Sequence, residues 1–133
     1  MQSRPFPRVL VVLIITIAIV NAFAEHYYWY WRMREFDMPM HFVGGVWLAG
    51  TVLWWRFFSG RFTSPQNVKA IFAWAIVGAV GVGLVWEVYE AIVSYFTVGH
   101  MNDILDTLSD LVFDTLGGIV AAGILWARTH NKQ

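Results

Sequence analysis

The chain has 133 residues, 58% of them apolar and 14% charged, with zero formal net charge at pH 7 and a mean hydropathy of +0.54. Soluble domains average about 45–50% apolar and about 25% charged. The composition therefore excludes a disordered chain and disfavours a water-soluble one, because a domain this small cannot bury so much apolar surface. The absence of cysteine excludes disulfides, thiolate metal sites and thiol nucleophiles, and the neutral balance argues against a nucleic-acid partner.

Four apolar stretches follow in chain order: 9–24, 38–58, 70–93 and 104–127. A spanning helix needs about 20 mostly apolar residues, with a range of about 17–25, and in lipid such stretches satisfy their backbone groups as helices. The expected fold is an all-α, integral membrane four-helix bundle forming one transmembrane domain. The first stretch is short, and the aromatic run Tyr27 to Trp31 extends it into the headgroup zone. Arg4, Arg8, the apolar run and Ala22-Phe23-Ala24 also fit a cleaved signal peptide; the reading adopted is a retained helix. Glu25 to Asp37 is expected as an interfacial helix or as the end of the first span. Ser59 to Val68, with Gly60 and Pro65, reads as a turn. Ser94 to Asn102, with Gly99, reads as a second turn or a re-entrant loop.

Seven of the nine Lys and Arg fall on one side of these spans: Arg4, Arg8, Arg56, Arg61, Lys69, Arg128 and Lys132. Only Arg32 and Arg34 fall on the other. The positive-inside rule then places both termini in the cytoplasm. Trp54, Trp55, Phe57, Phe58 and Trp126 belong to the inner aromatic belt. The Tyr27 to Trp31 run, Trp86 and Tyr89 belong to the outer one.

In that topology all nine acids lie in the outer half. A carboxylate inside a span costs about 2.5–3.5 kcal/mol on insertion scales, and so normally faces the bundle interior or a wet cavity. At about 100° per residue, Asp106, Asp110 and Asp114 fall roughly −60°, −20° and +20° from Asp103, on one stripe. The stripe continues inward through Gly117 and Ala121, small enough to admit a close neighbour. Glu87 and Glu90 share a face near the outer end of the third span, above Gly83. Asp37 and His41 share a face of the second span, above Gly44 and Gly45. Three helices thus bring acids or a histidine to similar depth, in a funnel open to the outside.

Carboxylates this close in a low dielectric cannot all stay ionised without cations. Three readings remain: a metal site, protonated carboxylates on a proton or cation path, and a hydrogen-bonded structural stripe. Arg32 and Arg34 are too few to neutralise the group, and facing helices that present carboxylates and an imidazole are the usual way a bundle holds metal. The expected ligands are His41, Glu87, Glu90, Asp106, Asp110 and Asp114. Asp37 is expected to orient His41, and Asp103 to support the group from behind. The cofactor is a divalent ion: oxygen ligands suit Mg, Mn or Ca, and the added histidine admits Zn or Fe. His26, His100 and His130 are weaker candidates.

The segments Asp37-Met-Pro-Met-His41-Phe-Val-Gly44-Gly45, Trp86-Glu87-Val-Tyr-Glu90 and Asp103-Ile-Leu-Asp106-Thr107-Leu-Ser-Asp110-Leu-Val-Phe-Asp114-Thr-Leu-Gly117 resemble the YjdF-like family of small bacterial inner-membrane proteins. The last motif is the most specific. The resemblance extends from Asp37 to Ala121 and implies the same fold and the same polar residues. It implies no reaction, since the family has no established activity. The favoured function is metal-assisted chemistry on a lipid or lipid-linked phosphate at the outer leaflet, with the bilayer as the partner. A cation or proton carrier and an accessory membrane subunit are the rivals. Gly117 to Ala127 has no ionisable residue, which favours a closed site over a path.

Overall fold

The computed structural model describes residues 4–33, 35–62, 67–97 and 104–130. Among these the regular structure is helical throughout: α1 (Arg8–His26), α2 (Trp29–Arg32), α3 (Asp37–Phe57), α4 (Val68–Thr97) and α5 (Ile104–His130). Four helices are long, and no strand occurs among the described residues. α2 is a single turn. The segment expected as either a span end or an interfacial helix is divided: α1 runs through Glu25 to His26, and the chain then turns at Tyr28, whose φ is 58°. Tyr30 Oη donates to Asn21 Oδ1 at 2.6 Å and ties α2 back onto α1.

α3 begins where a helix starts easily. Asp37 in its first turn meets the positive end of the helix dipole, and Pro39 sits in the same turn, where a missing N–H leaves no bond unmade. α4 is longer than the apolar stretch 70–93, because Val93 to Thr97 continue the helix. The remainder of the second expected turn, with His100 and Asp103, lies outside the described residues.

Three helices, α1, α4 and α5, are long and apolar enough to cross a membrane. α3 has 21 residues, roughly 31 Å at 1.5 Å per residue, and so has the length. It is less apolar because it is the shielded one: α1, α4 and α5 all pack against it, and it can carry Asp37, His41 and Arg56 without presenting them to lipid. α1 is the opposite case. Only Leu10 and Ala24 of it are buried, and it leans chiefly on α3, where the Trp47 indole N–H donates to the Leu10 carbonyl at 2.9 Å.

The apolar core fills one half of the three-helix unit: Ala49, Leu53 and Phe57 from α3, Ile71, Ala75 and Ala79 from α4, and Ala121 and Ala122 from α5. Small residues set the spacing. A Cβ on Gly117 would collide with the Phe42 carbonyl, and one on Gly45 with the Asp114 carbonyl. α3 and α5 therefore touch backbone to backbone, the close approach that small-residue faces allow between helices in lipid. One consequence is local: the turn of α5 that carries Asp110 and Asp114 lies directly against the turn of α3 that carries His41.

Candidate metal centre

The half of the bundle beyond that crossing buries charge instead of hydrocarbon. Asp110 is 2% exposed, Asp114 3%, Glu87 5% and His41 9%. His41, in the second turn of α3, is the hub. Its Nε2 stands 3.6 Å from Asp37 Oδ1, one turn back on the same helix, and 3.9 Å from Asp110 Oδ2 on α5. Its Nδ1 stands 3.4 Å from Asp114 Oδ2, one turn deeper. One ligand atom from each of Asp37, His41 and Asp110 lies within 4.8 Å of the other two.

Each residue is placed by its helix. Asp37 and His41 are four apart and share a face. So do Asp110 and Asp114, and the second pair meets the first because Gly45 and Gly117 let the helices close. Asp114 is held from a third direction by α4, where a Cβ on Gly83 would collide with its Oδ2. Glu87 follows Gly83 by one helical turn, just as Asp110 precedes Asp114 by one, so Glu87 stands at the level of Asp110. Among the described residues neither of its carboxylate oxygens has a hydrogen-bond partner, and both are buried. Asp110 Oδ1 accepts from the Ser109 hydroxyl at 3.4 Å, which leaves Oδ2 facing His41.

The mouth is wetter. The Asp37 side chain is 30% exposed, Glu90 is half-buried, and Asp106 is exposed. Asp106 was expected among the converging residues, but it does not join the three-residue group. Among the described residues, the ion pairs here all use His41 as the basic member, and Arg32 is exposed and takes no part in them. At the rim, Tyr30 stays a phenol well into alkali. Its pKa is pushed up to about 12, first by burial and then by the negative charge of Asp37, Glu25 and Glu90.

Two features were not read from the sequence. Asp37 offers an oxygen to the same point as His41 and Asp110, and the D-x3-H spacing was the available signal for that. The contact of Gly83 with Asp114 had no signal beyond the placement of that glycine one turn below Glu87.

A helical bundle with apolar outer faces and a buried acid–histidine cluster defines a class of small integral membrane protein. A family model described as "Predicted membrane protein (DUF2238)" matches residues 1–132. The chain belongs to that membrane protein family of unknown function, in agreement with its resemblance to the YjdF-like proteins. No curated protein and no solved structure matches it.

Proposed function

We propose that this membrane protein binds a divalent cation between Asp37, His41 and Asp110 and uses it on the phosphate of a lipid or lipid-linked substrate. The observation that carries the reading is the spacing around His41 Nε2. Gaps of 3.6 and 3.9 Å exceed the 2.7–3.2 Å of ordinary N–H···O hydrogen bonds. They match atoms around a shared ion, because metal–ligand bonds of about 2.0–2.2 Å set neighbouring ligand atoms about 3–4 Å apart. In this arrangement His41 Nδ1 would turn its proton toward Asp114 Oδ2, a long contact at 3.4 Å, and leave the Nε2 lone pair for the cation, in the manner of a carboxylate–histidine support. Asp114 then orients the histidine and Asp37 ligates, an exchange of the roles expected from the sequence. Glu87, buried and without a partner among the described residues, would supply a further ligand or take up a proton when the cation activates water.

Mixed imidazole and carboxylate donors fit Mn, Fe or Zn better than an all-oxygen ion. The substrate class rests on depth and rim. Half-buried Asp37 and Glu90 lie near Tyr30, and Trp86 and Tyr89 flank Glu90 on α4, the three aromatics being residue types typical of headgroup level. A metal there would polarise a phosphoryl oxygen or activate water. The charge asymmetry of the chain supports a multi-pass protein of the bacterial inner membrane with both termini inside. Reporter fusions after Lys132 and between α4 and α5 should then give opposite-side signals.

The direct test is elemental analysis of the purified protein, with thermal melting in detergent before and after chelation. A ligand that binds only the folded state adds about 2.7 kcal/mol at a hundredfold excess over Kd, so chelation should lower Tm and re-added Mn²⁺ should restore it. Asp110→Asn should remove most of that response, and Glu25→Gln, exposed at the end of α1, should keep it. Indifference of the native protein to chelator would rule the cation out and favour a path of protonated carboxylates.

A further inference from the structure

The opposite end of the bundle holds a charge that forms no ion pair among the described residues. Arg56, in the last turn of α3, has its guanidinium carbon 4.8 Å from the ring of Phe62, 5.1 Å from Trp74 and 5.9 Å from Phe57. Such rings attract the cation through their faces. They do nothing for the N–H donors, which lie in the guanidinium plane and need an acceptor. Nη1 is out of contact with water and has no hydrogen-bond partner among the described residues.

No carboxylate side chain is available to it. The chain has no Asp or Glu before Glu25, none between Asp37 and Glu87, and none after Asp114. The same end carries further positive charge. Arg4 lies 5.2 Å over the Phe58 ring, held there because its backbone N–H donates to the Phe58 carbonyl at 2.9 Å. Arg61 and Lys69 are exposed on either side of the turn. Arg56 Nη1, caged and without a partner among the described residues, stands in a basic field that suits an external oxyanion, and Arg is the side chain whose fork matches phosphate oxygens two at a time.

We propose that Arg56, caged by Phe57, Phe62 and Trp74, is a binding site for a phosphate oxyanion at the basic end of the bundle, separate from the cation site. The phosphate comes from an anionic phospholipid headgroup or from free phosphate. The position of Arg56 among Trp54, Trp55, Phe57 and Phe58, an aromatic girdle of the kind that marks headgroup depth, favours the lipid. Basic pockets between helices are a recurrent way of holding such headgroups.

The experiment is thermal melting of the whole protein in a non-ionic detergent, titrated with phosphatidylglycerol, phosphatidylcholine or inorganic phosphate. Phosphatidylglycerol should raise Tm by several degrees and phosphatidylcholine should not. Arg56→Gln should abolish the rise, while Arg32→Gln, exposed at the other end of the bundle, should retain it. If inorganic phosphate alone reproduces an Arg56-dependent rise, the site stands and its ligand is free phosphate. Arg56→Lys keeps the charge without the planar fork, and covers the case in which Arg56→Gln does not fold; its apparent affinity should fall roughly tenfold, the loss of one charge-assisted hydrogen bond. No response in the native protein overturns the proposal. So does an equal response in native protein and either Arg56 variant.

Discussion

One helix links two ends of opposite character. At its start, α3 presents Asp37 and His41 to the carboxylates of Asp110, Asp114 and Glu87, and no Lys or Arg answers them among the ion pairs described. At its finish, α3 presents Arg56 to three aromatic rings, within segment 38–86, which like segment 115–133 contains no Asp or Glu. Between them lie Ala49 and Leu53, in an apolar core with no ionisable side chain. A protein selected only for stability would bring the two charges together or discard both, since replacing a buried ion pair by apolar residues is often neutral or stabilising. Under the two proposals above, each end would take its counter-charge from outside, a cation at one and an anion at the other. The two ends also differ in tolerance: the acidic end rests on backbone-to-backbone contacts at Gly45 and Gly117, and the apolar half on side chains that can adjust.

The largest expected effect breaks that difference in tolerance. Gly45→Ala drives a methyl into the Asp114 carbonyl, and backbone cannot turn aside. The loss should reach or exceed the top of the about 1–3 kcal/mol range for overpacking, read as a fall in Tm or in the denaturant midpoint. Gly78→Ala meets Val52 Cγ2 at 2.7 Å and its Cβ at 2.9 Å; rotation cannot move the Cβ, so this variant should also lose stability, but less than Gly45→Ala because no backbone atom is struck. Gly44→Ala meets nothing within 4 Å and should gain up to about 1 kcal/mol from helix propensity. Equal losses at Gly44 and Gly45 would mean that α3 and α5 do not cross here.

Next in size are the two acids that the sequence stripe treated alike. Asp114 is buried against His41 and Gly83, and Asp106 is exposed. Asp114→Asn should weaken Mn²⁺ binding 10–100-fold, the usual effect of removing a carboxylate behind a metal-bound histidine, while Asp106→Asn should change it less than about threefold, on the scale of exposed charge interactions. Titration calorimetry separates the two outcomes.

Acidification should then distinguish the two ends by sign. Metal ligands must be deprotonated, so protons compete with the cation at Asp37, His41 and Asp110. The rise in Tm produced by Mn²⁺ should shrink as pH falls from about 7.5 to about 5.5, across the ordinary range of imidazole titration. Arginine does not titrate in that interval, and a phosphodiester remains ionised. The rise produced by phosphatidylglycerol should therefore stay constant. A lipid response that fades in parallel with the metal response would mean that the two ends share one site.

The spans and the depth of the acids were legible because a carboxylate in a hydrophobic run is costly wherever it points, so its presence alone marks a polar interior. The finer sorting was less legible, because a helical wheel fixes angles within one helix and not its rotation against its neighbours. Asp110 sits at the centre of the stripe and Asp114 at one edge, and both face the core. Asp106 sits at the opposite edge, in the first turn of α5, and faces out. Likewise Gly44 and Gly45 are neighbours in sequence, and only the crossing of α5 decides which of them needs to be glycine. α1 gave no such handle. It is apolar on every side, so its pattern carried no face, and its peripheral place follows from the Trp47 and Leu10 contact. The cage around Arg56 was legible only as an aromatic belt, since that stacking requires Phe62 from the turn and Trp74 from α4 to reach the end of α3.

The smallest expected effect concerns the rim, and it reports on the charge of the acidic end without disturbing the fold. Tyr30 lies outside the spanning helices, and its phenol is held up to about 12, with burial as the largest cause and the charges of Asp37, Glu25 and Glu90 behind it. Removing a nearby negative charge makes the phenolate easier to form. Asp37→Asn should therefore lower the midpoint of Tyr30, read as phenolate absorbance with Tyr30→Phe subtracted. The fall should stop short of the ordinary tyrosine value of about 10, because burial remains. Asp114→Asn removes a charge that is not among those acting on Tyr30, and should leave the midpoint in place. A midpoint that ignores Asp37→Asn would separate Tyr30 from the cluster and place the mouth of the site elsewhere. A midpoint that moves equally in both variants would mean that the carboxylates act as one delocalised charge, and not as a ligand group with a distinct opening at Asp37.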